Sequence, residues 1–310
     1  MEETTKRHAG FIGLGAMGHG IAKNALSHGY EGTLLLRRPE DRARCADLLA
    51  QGANAVSSVS DVARVSDVVI ICVTDSAQVE QVVLSPDGLA ASLRRGTVVI
   101  DCSTALPEST RRVAAAIEAN GGLFLDAALT GTPKEAEAGR LNLLVGGKPE
   151  VIAEIEPILS TFSLARYHCG PVGAGHAMKL LHQFVVLSNT AVLAEAFACA
   201  EKAGVDQAVL CDVIASGGAN STAFQRIRPF VEAGNDESFR FSLANAVKDM
   251  RYHAQMAANS GSASFIGAPV LGMYTVATNQ GLARQSVPHL IHCYNKINGI
   301  SPGAQDTSTE

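Results

Sequence analysis

No extended run of basic residues occurs in this 310-residue chain, whose formal net charge is −5. Phosphate backbones are bound by clustered Lys and Arg that release counterions, so no nucleic-acid partner is expected. The seven cysteines, among them Cys45, Cys102, Cys169 and Cys293, include no C-x-x-C pair and no histidine spacing typical of zinc ligands. That excludes a recognisable metal site and suits a reducing cytosol. No uninterrupted stretch reaches the roughly 18 apolar residues of a membrane span, and no basic-plus-apolar leader stands at the N-terminus. The expectation is a soluble cytoplasmic protein that engages no membrane. The ends "MEETTKRHA" and "GISPGAQDTSTE" are polar and read as loose tails. There is no internal repeat and no low-complexity segment. What the chain does have is 47% hydrophobic residues, enough for a sizeable core, and a length suited to two domains.

Short apolar runs, "GFIGLG", "TLLLR", "DVVIICV", "TVVIDCS", "GLFLDAAL" and "LNLLVGG", alternate with helical patterns such as "GHGIAKNALSHG" and "PESTRRVAAAIEANGG". Such alternation predicts a parallel sheet covered by helices. After "ARYHCGPVGAG" the strand signals stop and long helical patterns follow, including "HAMKLLHQFVVLSNTAVLAEAFACAEKAG" and "SLANAVKDMRYHAQMAANSG". The fold class expected is therefore α/β: a Rossmann domain with a mainly parallel sheet over residues 1–170, then an all-α domain over 171–310 begun by a long interdomain helix. Asp206 is a natural N-cap for "QAVLCDVIASGG", and the glycines after it a natural stop.

Gly13-Leu14-Gly15-Ala16-Met17-Gly18 is a G-x-G-x-x-G placed between a strand-like "HAGFIG" and an amphipathic helix. In that setting Gly13 permits a tight turn, Gly15 lets the backbone approach a pyrophosphate, and Gly18 lets helix and sheet pack closely. A dinucleotide is the expected ligand. Past the second strand, an acid would hold the ribose hydroxyls of NAD, whereas arginine favours the 2′-phosphate of NADP. "TLLLRRPEDR" offers Arg37 and Arg38 before any acid, with Glu40 following. Guanidinium pairs with phosphate bidentately, so NADP is the expected cofactor and NAD the alternative; two solvated arginines in a surface turn would read the same way.

Several separated motifs, in order, give the chain a resemblance to the β-hydroxyacid dehydrogenases, which include 3-hydroxyisobutyrate dehydrogenase and tartronate semialdehyde reductase. "GFIGLGAMGHGIAKNAL" is similar to the family's phosphate-binding opening, and "CVTD", with Val73 and Thr74, to its next cofactor-lining turn. "DCSTALPEST" resembles the D-x-S-T-x-x-P element, which implies that Thr104 contacts the cofactor. "DAALTGTPKEAEAGRL" stands where the family has D-A-P-V-S-G-G, a loop that holds the substrate carboxylate, so Thr130, Gly131 and Thr132 inherit that role, with Ser103 a nearby hydroxyl. Each of these has a plain alternative as a strand-end turn. "GPVGAGHAMKLLHQ" is similar to G-x-x-G-x-G-x-x-x-K-x-x-x-N, which implies that Lys179 is catalytic. "VKDM" resembles the later K-D-L, making Lys248 a cofactor or substrate contact, unless it simply pairs with Asp249. Two departures stand out. Pro133 stiffens and crowds the carboxylate loop, and His182-Gln183 replaces an Asn-Asn-like pair, with Gln183 at the substrate-binding amide position.

Hydride reduction of a carbonyl builds negative charge on oxygen, so the site needs a donor that stabilises the oxyanion and supplies a proton. A partly desolvated Lys179 serves both needs; a snorkelling surface lysine is the ordinary alternative. Gln183, one turn on at i+4, shares its helix face and can orient the lysine or a substrate oxygen. His182, on an apolar helix, reads as a packing residue ahead of an acid. The reaction expected is hydride exchange between NADP(H) and a small carboxylate-bearing β-hydroxy acid or semialdehyde. Imine reduction and a non-catalytic dinucleotide-binding scaffold are the competing readings, and Lys179 argues against both. The resemblance also implies a homodimer or homotetramer.

Overall fold

The computed structural model describes residues 7–300. Of the expected tails, residues 1–6 and 301–310 lie outside the described residues, while His8 and Ala9 already belong to the first strand. The chain forms two compact units, Met1–Lys179 and Leu180–Glu310.

The first unit is one eight-stranded sheet in the order β3-β2-β1-β4-β5-β6-β7-β8. Its strands are β1 His8–Ile12, β2 Glu31–Leu35, β3 Asn54–Val56, β4 Val68–Ile71, β5 Val98–Asp101, β6 Leu123–Thr130, β7 Leu141–Gly146 and β8 Ser163–Gly170. The central strands β4 (VVII) and β5 (VVID) are buried at every position, as strands covered on both faces must be, and their β-branched residues suit that pleated interior. Strands β1 to β6 run parallel, and β7 pairs antiparallel with β6. The reversal follows from chain length, since residues 131–140 fall short of the roughly dozen residues that a parallel crossover needs. Two strands carry no sequence signal of the kind used above. β3 has three residues at a sheet edge, and β8 (SLARYHCG) is an edge strand of mixed burial without an apolar run.

Register fixes what lies beside what. Ile12 of β1 pairs with Ile71 of β4, and Ile71 with Asp101 of β5, so the segments that leave these three strands emerge side by side. Strand order reverses between β1 and β4, the switch point at which open α/β sheets take ligands. Asp126 pairs with Asp101, and β6 then continues for four residues, carrying Thr130 about 13 Å further along.

The second unit is helical, with helices Gln207–Ser216, Thr222–Ala233, Leu243–Asn259, Gly267–Ala277 and Leu290–Ile297 after the long helix Ala174–Ala203. Phe197, Phe224 and Tyr274 are fully buried at its centre, each contributing about 1.5–3 kcal/mol of apolar burial. A buried phenol requires a partner, and the Tyr274 hydroxyl donates to the Leu187 carbonyl at 2.9 Å. Asp206 caps its helix as expected, accepting from Ala208 and Val209 N–H at 2.8 and 3.0 Å. Gly217 ends that helix in an extended rather than a left-handed conformation.

Among the described residues the long helix alone is long and apolar enough, by length and composition, to cross a membrane, and half of that stretch is buried. Its apolar residues are spread around the helix instead of forming one stripe, which is how a helix packed on more than one side reads.

Candidate active site

The glycine turn follows β1 and opens helix Gly18–Ser27. Gly13 adopts φ +91°, and a Cβ there would lie 2.2 Å from the Cys72 carbonyl oxygen. Gly18 presses so closely on the turn that a Cβ would lie 2.0 Å from the Gly13 carbonyl oxygen. Above Gly15 there is open space, with nothing within 4 Å of where a Cβ would be. Two glycines are thus required by the turn itself, and the third leaves an exposed backbone face at the start of a helix, the arrangement a pyrophosphate needs. Leu14 is buried and Ala16 exposed, with Met17 half-buried against the core.

Val73 and Thr74 lie directly after β4, beside this turn; a Cβ on Gly13 would also meet the Val73 side chain at 2.9 Å. Thr74 N–H donates to Gln78 Oε1 at 3.4 Å. Ser103 is buried, accepts the Val73 N–H at 3.0 Å and donates its own N–H to Asp101 Oδ1 at 2.9 Å. Its hydroxyl oxygen therefore ties the β4 turn to the β5 turn, and half-buried Thr104 follows it.

Arg37 and Arg38 are exposed just past β2. Glu40 is the acid the sequence brings to notice there, but it is Asp41 that engages Arg38. Its buried carboxylate accepts from Arg38 Nη2 at 3.2 Å and from Arg44 Nη2 at 2.6 Å. The Arg38 guanidinium holds the Asp41 carboxyl below its usual range, and the pairing fixes Arg38 at the start of helix Pro39–Arg44.

Gly131 has φ +129°, and Thr132 caps the short helix Pro133–Glu137 in a reciprocal box. Thr132 Oγ1 accepts from Glu135 N–H at 3.4 Å, while Thr132 N–H donates to Glu135 Oε2 at 2.6 Å. With Pro133 lacking an N–H, the loop's contribution to any carboxylate narrows toward Thr130 and Gly131. Asn24 Nδ2 donates to the Ala136 and Glu137 carbonyls at 3.0 and 3.2 Å, and Lys23 pairs with Glu137. The loop's helix is thereby held to the helix that the glycine turn opens.

Lys179 is half-buried in the second turn of the long helix and is the last residue of the first unit. The start of that helix is fastened from within the sheet. Fully buried Asp126 accepts the Gly173 N–H on Oδ1 at 2.7 Å and the His176 N–H on Oδ2 at 2.8 Å. A carboxylate at a helix N-terminus satisfies orphan donors and complements the helix dipole. Neither Asp126 nor His176 stands out in the sequence; the aspartate opening "DAALTG" is the available signal, its helix partner lying 50 residues on.

In the second unit, Gln183 is buried and its amide donates to Asp249 Oδ2 at 2.8 Å, joining the "HAMKLLHQ" and "VKDM" motifs. Asp249 Oδ1 lies 3.2 Å from Lys248 Nζ, which sits 5.8 Å from the Tyr252 ring centre. His182 is exposed, with Nδ1 3.3 Å from Gln183 Oε1, so the packing role expected of it is not the one it has; it lies on the outward face of the helix. A cavity of about 580 Å³ lined by Arg111, Lys148 and His168 contains none of the expected site residues. No group of three or more potential metal ligands occurs among the described residues.

Comparison with known proteins agrees with this layout. Residues 8–170 match the NAD binding domain of 6-phosphogluconate dehydrogenase, and residues 173–294 match the NAD-binding domain of NADP-dependent 3-hydroxyisobutyrate dehydrogenase. The chain is 31% identical to 2-(hydroxymethyl)glutarate dehydrogenase of Eubacterium barkeri, covering 97% of this chain and 98% of that one. It is 32% identical to the NAD-dependent L-serine dehydrogenase of Pseudomonas aeruginosa, covering 89% and 93%. The solved 3-hydroxyisobutyrate dehydrogenase of Salmonella typhimurium superposes with a TM-score of 0.81 at 30% identity, over 92% of this chain and 99% of that chain. With a switch-point glycine turn, a helical second half and relatives matched almost end to end, the chain belongs to the β-hydroxyacid dehydrogenase family.

Proposed function

We propose that this chain interconverts a small β-hydroxy acid and its aldehyde or keto form with a nicotinamide cofactor, and that Lys179 moves the proton. The observation that carries the reading is a half-buried lysine on a helix start anchored in the sheet that bears the dinucleotide turn. The open backbone above Gly15 fits a pyrophosphate, with residues 13–18, Val73, Thr74 and Thr104 holding the dinucleotide and Lys248 a further contact. Bound NADP(H) supplies or accepts the hydride. In the reducing direction the Lys179 ammonium donates to the carbonyl oxygen as charge builds there and releases its proton to the product alkoxide; in oxidation the neutral amine removes the hydroxyl proton. Thr130 and Gly131, with Thr132 and Ser103 supporting the turns, hold the carboxylate. Gln183, anchored by Asp249, presents its remaining amide hydrogen to the substrate. A panel of short hydroxy acids and semialdehydes assayed with both cofactors tests this, and absence of turnover with every carboxylate-bearing compound refutes it.

NADP is the preferred cofactor on this reading, because Arg37 and Arg38 follow β2 and Arg38 is held in place by Asp41. Replacing both arginines with alanine weakens NADPH on the order of 10-fold or more relative to NADH, the loss of one or two hydrogen bonds to a charged group. Equal losses for the two cofactors, measured by titration, would refute the preference.

A second copy of the chain is the proposed partner. Leu181, Val185 and Val192 form an exposed apolar row along the long helix, with Val209 and Val213 exposed on the helix after it. Val185 and Val192 are one heptad apart, the repeat at which two helices pack side by side. Glutamate at both valines is expected to convert an oligomer into monomer in light scattering; an unchanged mass places the interface elsewhere.

A further inference from the structure

Four buried polar groups meet where the long helix leaves the sheet, and none of them touches the reacting atoms in the reaction described above. Asp101 ends β5, Asp126 lies beside it on β6, Thr110 comes from helix Pro107–Ala119, and His176 lies in the first turn of the long helix; all are at least 99% buried. Most of their atoms are satisfied. Asp126 accepts the two helix N–H groups, and Asp101 Oδ1 accepts the Ser103 N–H. The Thr110 hydroxyl donates its one hydrogen to the Leu106 carbonyl at 3.0 Å. With the hydroxyl hydrogen assigned to that carbonyl, its oxygen, 2.7 Å from His176 Nδ1, accepts, and the ring proton is assigned to Nδ1.

That assignment leaves Nε2 of a neutral ring as a bare acceptor. It faces Asp101 Oδ2 at 4.0 Å, and neither atom has a hydrogen-bond partner among the described residues. Two unpartnered acceptors, one of them charged, repel in a buried setting, at a cost comparable to a buried unsatisfied polar group or more. One additional proton between them removes the conflict. The other titratable groups facing Asp101 are Asp126, which adds negative charge, and the thiols of Cys72 and Cys102. Burial pushes Cys72 up to about 12 and Cys102 well above its ordinary value, so both stay neutral and supply no compensating charge. Burial likewise raises the Asp101 carboxyl, partly offset by His176.

We propose that Asp101 and His176 together hold one additional proton, on Oδ2 or on Nε2 across the 4.0 Å gap, and so act as a buried positioning pair for Lys179. The pair binds the helix start to β5 through the ring, to helix Pro107–Ala119 through Nδ1, and to β6 through the His176 N–H. His176 and Lys179 are i and i+3, neighbours on one helix face. Where the ring is held, the lysine one turn on is held. The inference rests on the reading of Lys179 as the proton carrier.

Two substitutions at Asp101 separate the possibilities. In Asp101→Asn the amide oxygen stays on the Ser103 N–H, and the amide nitrogen offers a hydrogen to His176 Nε2, replacing the additional proton with a permanent one. Asp101→Asn is therefore expected to keep kcat within about threefold of the parent, whereas Asp101→Ala lowers kcat by roughly 10- to 100-fold with little change in KM, the scale of a small misplacement of a catalytic group. A readout independent of turnover is the ¹⁵N spectrum of histidine-labelled full-length protein, in which a protonated His176 Nδ1 is expected. A bare Nδ1, an Asp101→Asn variant as impaired as Asp101→Ala, or an Asp101→Ala variant as active as the parent each overturns the proposal. Should Asp101→Ala fail to fold, the Asn variant and the spectrum still decide. Full activity of Lys179→Ala would instead remove the lysine reading while leaving the ¹⁵N result of the pair intact, so the two failures are distinguishable.

Discussion

Lys179→Ala is expected to lower kcat by roughly 10³-fold, the middle of the range for removal of a general acid–base group, while NADPH affinity stays within about threefold. The reasoning is one of differential stabilisation. The ammonium is worth most when the substrate oxygen is becoming an alkoxide, so its loss falls on the chemical step and not on binding of the dinucleotide, which the turn at residues 13–18 provides. Lys179→Arg is expected to fare little better, because guanidinium retains its proton at every accessible pH and cannot deliver it. Steady-state kinetics with the substrate found in the panel, together with a fluorescence titration of NADPH, measures both quantities. Parent-like kcat in the alanine variant would move the proton to another group, and His182, whose Nδ1 lies 3.3 Å from the Gln183 amide oxygen, would be the first to replace next.

The architecture was legible because its signals are local. Each central strand is a short run of apolar, largely β-branched residues, and the glycine turn carries steric demands that only glycine meets at Gly13 and Gly18. Edge strands are a different matter: β8 is half exposed and polar in places, so nothing in its composition separates it from a loop, and its pairing with β7 is a property of the assembled sheet. The site shows the same division. Motif order singled out residues 13–18, Thr130 to Thr132, Lys179 and Lys248 as candidates, because each belongs to a contiguous stretch. Side-chain partnerships stayed hidden, whether they close a local turn or join separate elements. Asp41 neutralises part of Arg38, Glu135 occupies the Thr132 amide, Asp249 holds Gln183, and Asp101 meets His176 from a strand far earlier in the chain. His182 was misread for a related reason: on a helix with apolar residues on several sides, periodicity does not say which face is outward, and the structure turns that residue to solvent.

Asp126→Ala is expected to be the most destabilising single change in the first unit's polar interior, at about 4 kcal/mol. Both carboxylate oxygens accept backbone N–H groups of the long helix, and each such bond to a charged acceptor is worth about 1.5–3 kcal/mol. Alanine removes both and strands the Gly173 and His176 N–H groups where water does not reach. The surroundings cannot collapse to compensate, since space for the carboxylate is built in: a Cβ on Gly146 would lie 2.5 Å from Asp126 Oδ1, and one on Gly175 would lie 2.9 Å from Oδ2. For a unit of this size the loss corresponds to a fall in Tm of roughly 10 °C. Asp126→Asn retains one acceptor but places an NH₂ against a helix N–H, so about half the loss is expected to persist. Thermal unfolding followed by circular dichroism, with and without saturating NADPH, checks both values. The helix start that Asp126 holds carries Lys179, so Asp126→Asn, folded but loosened, is expected to lose kcat more than cofactor affinity; a variant as stable and as active as the parent would show that the helix needs no anchor in the sheet.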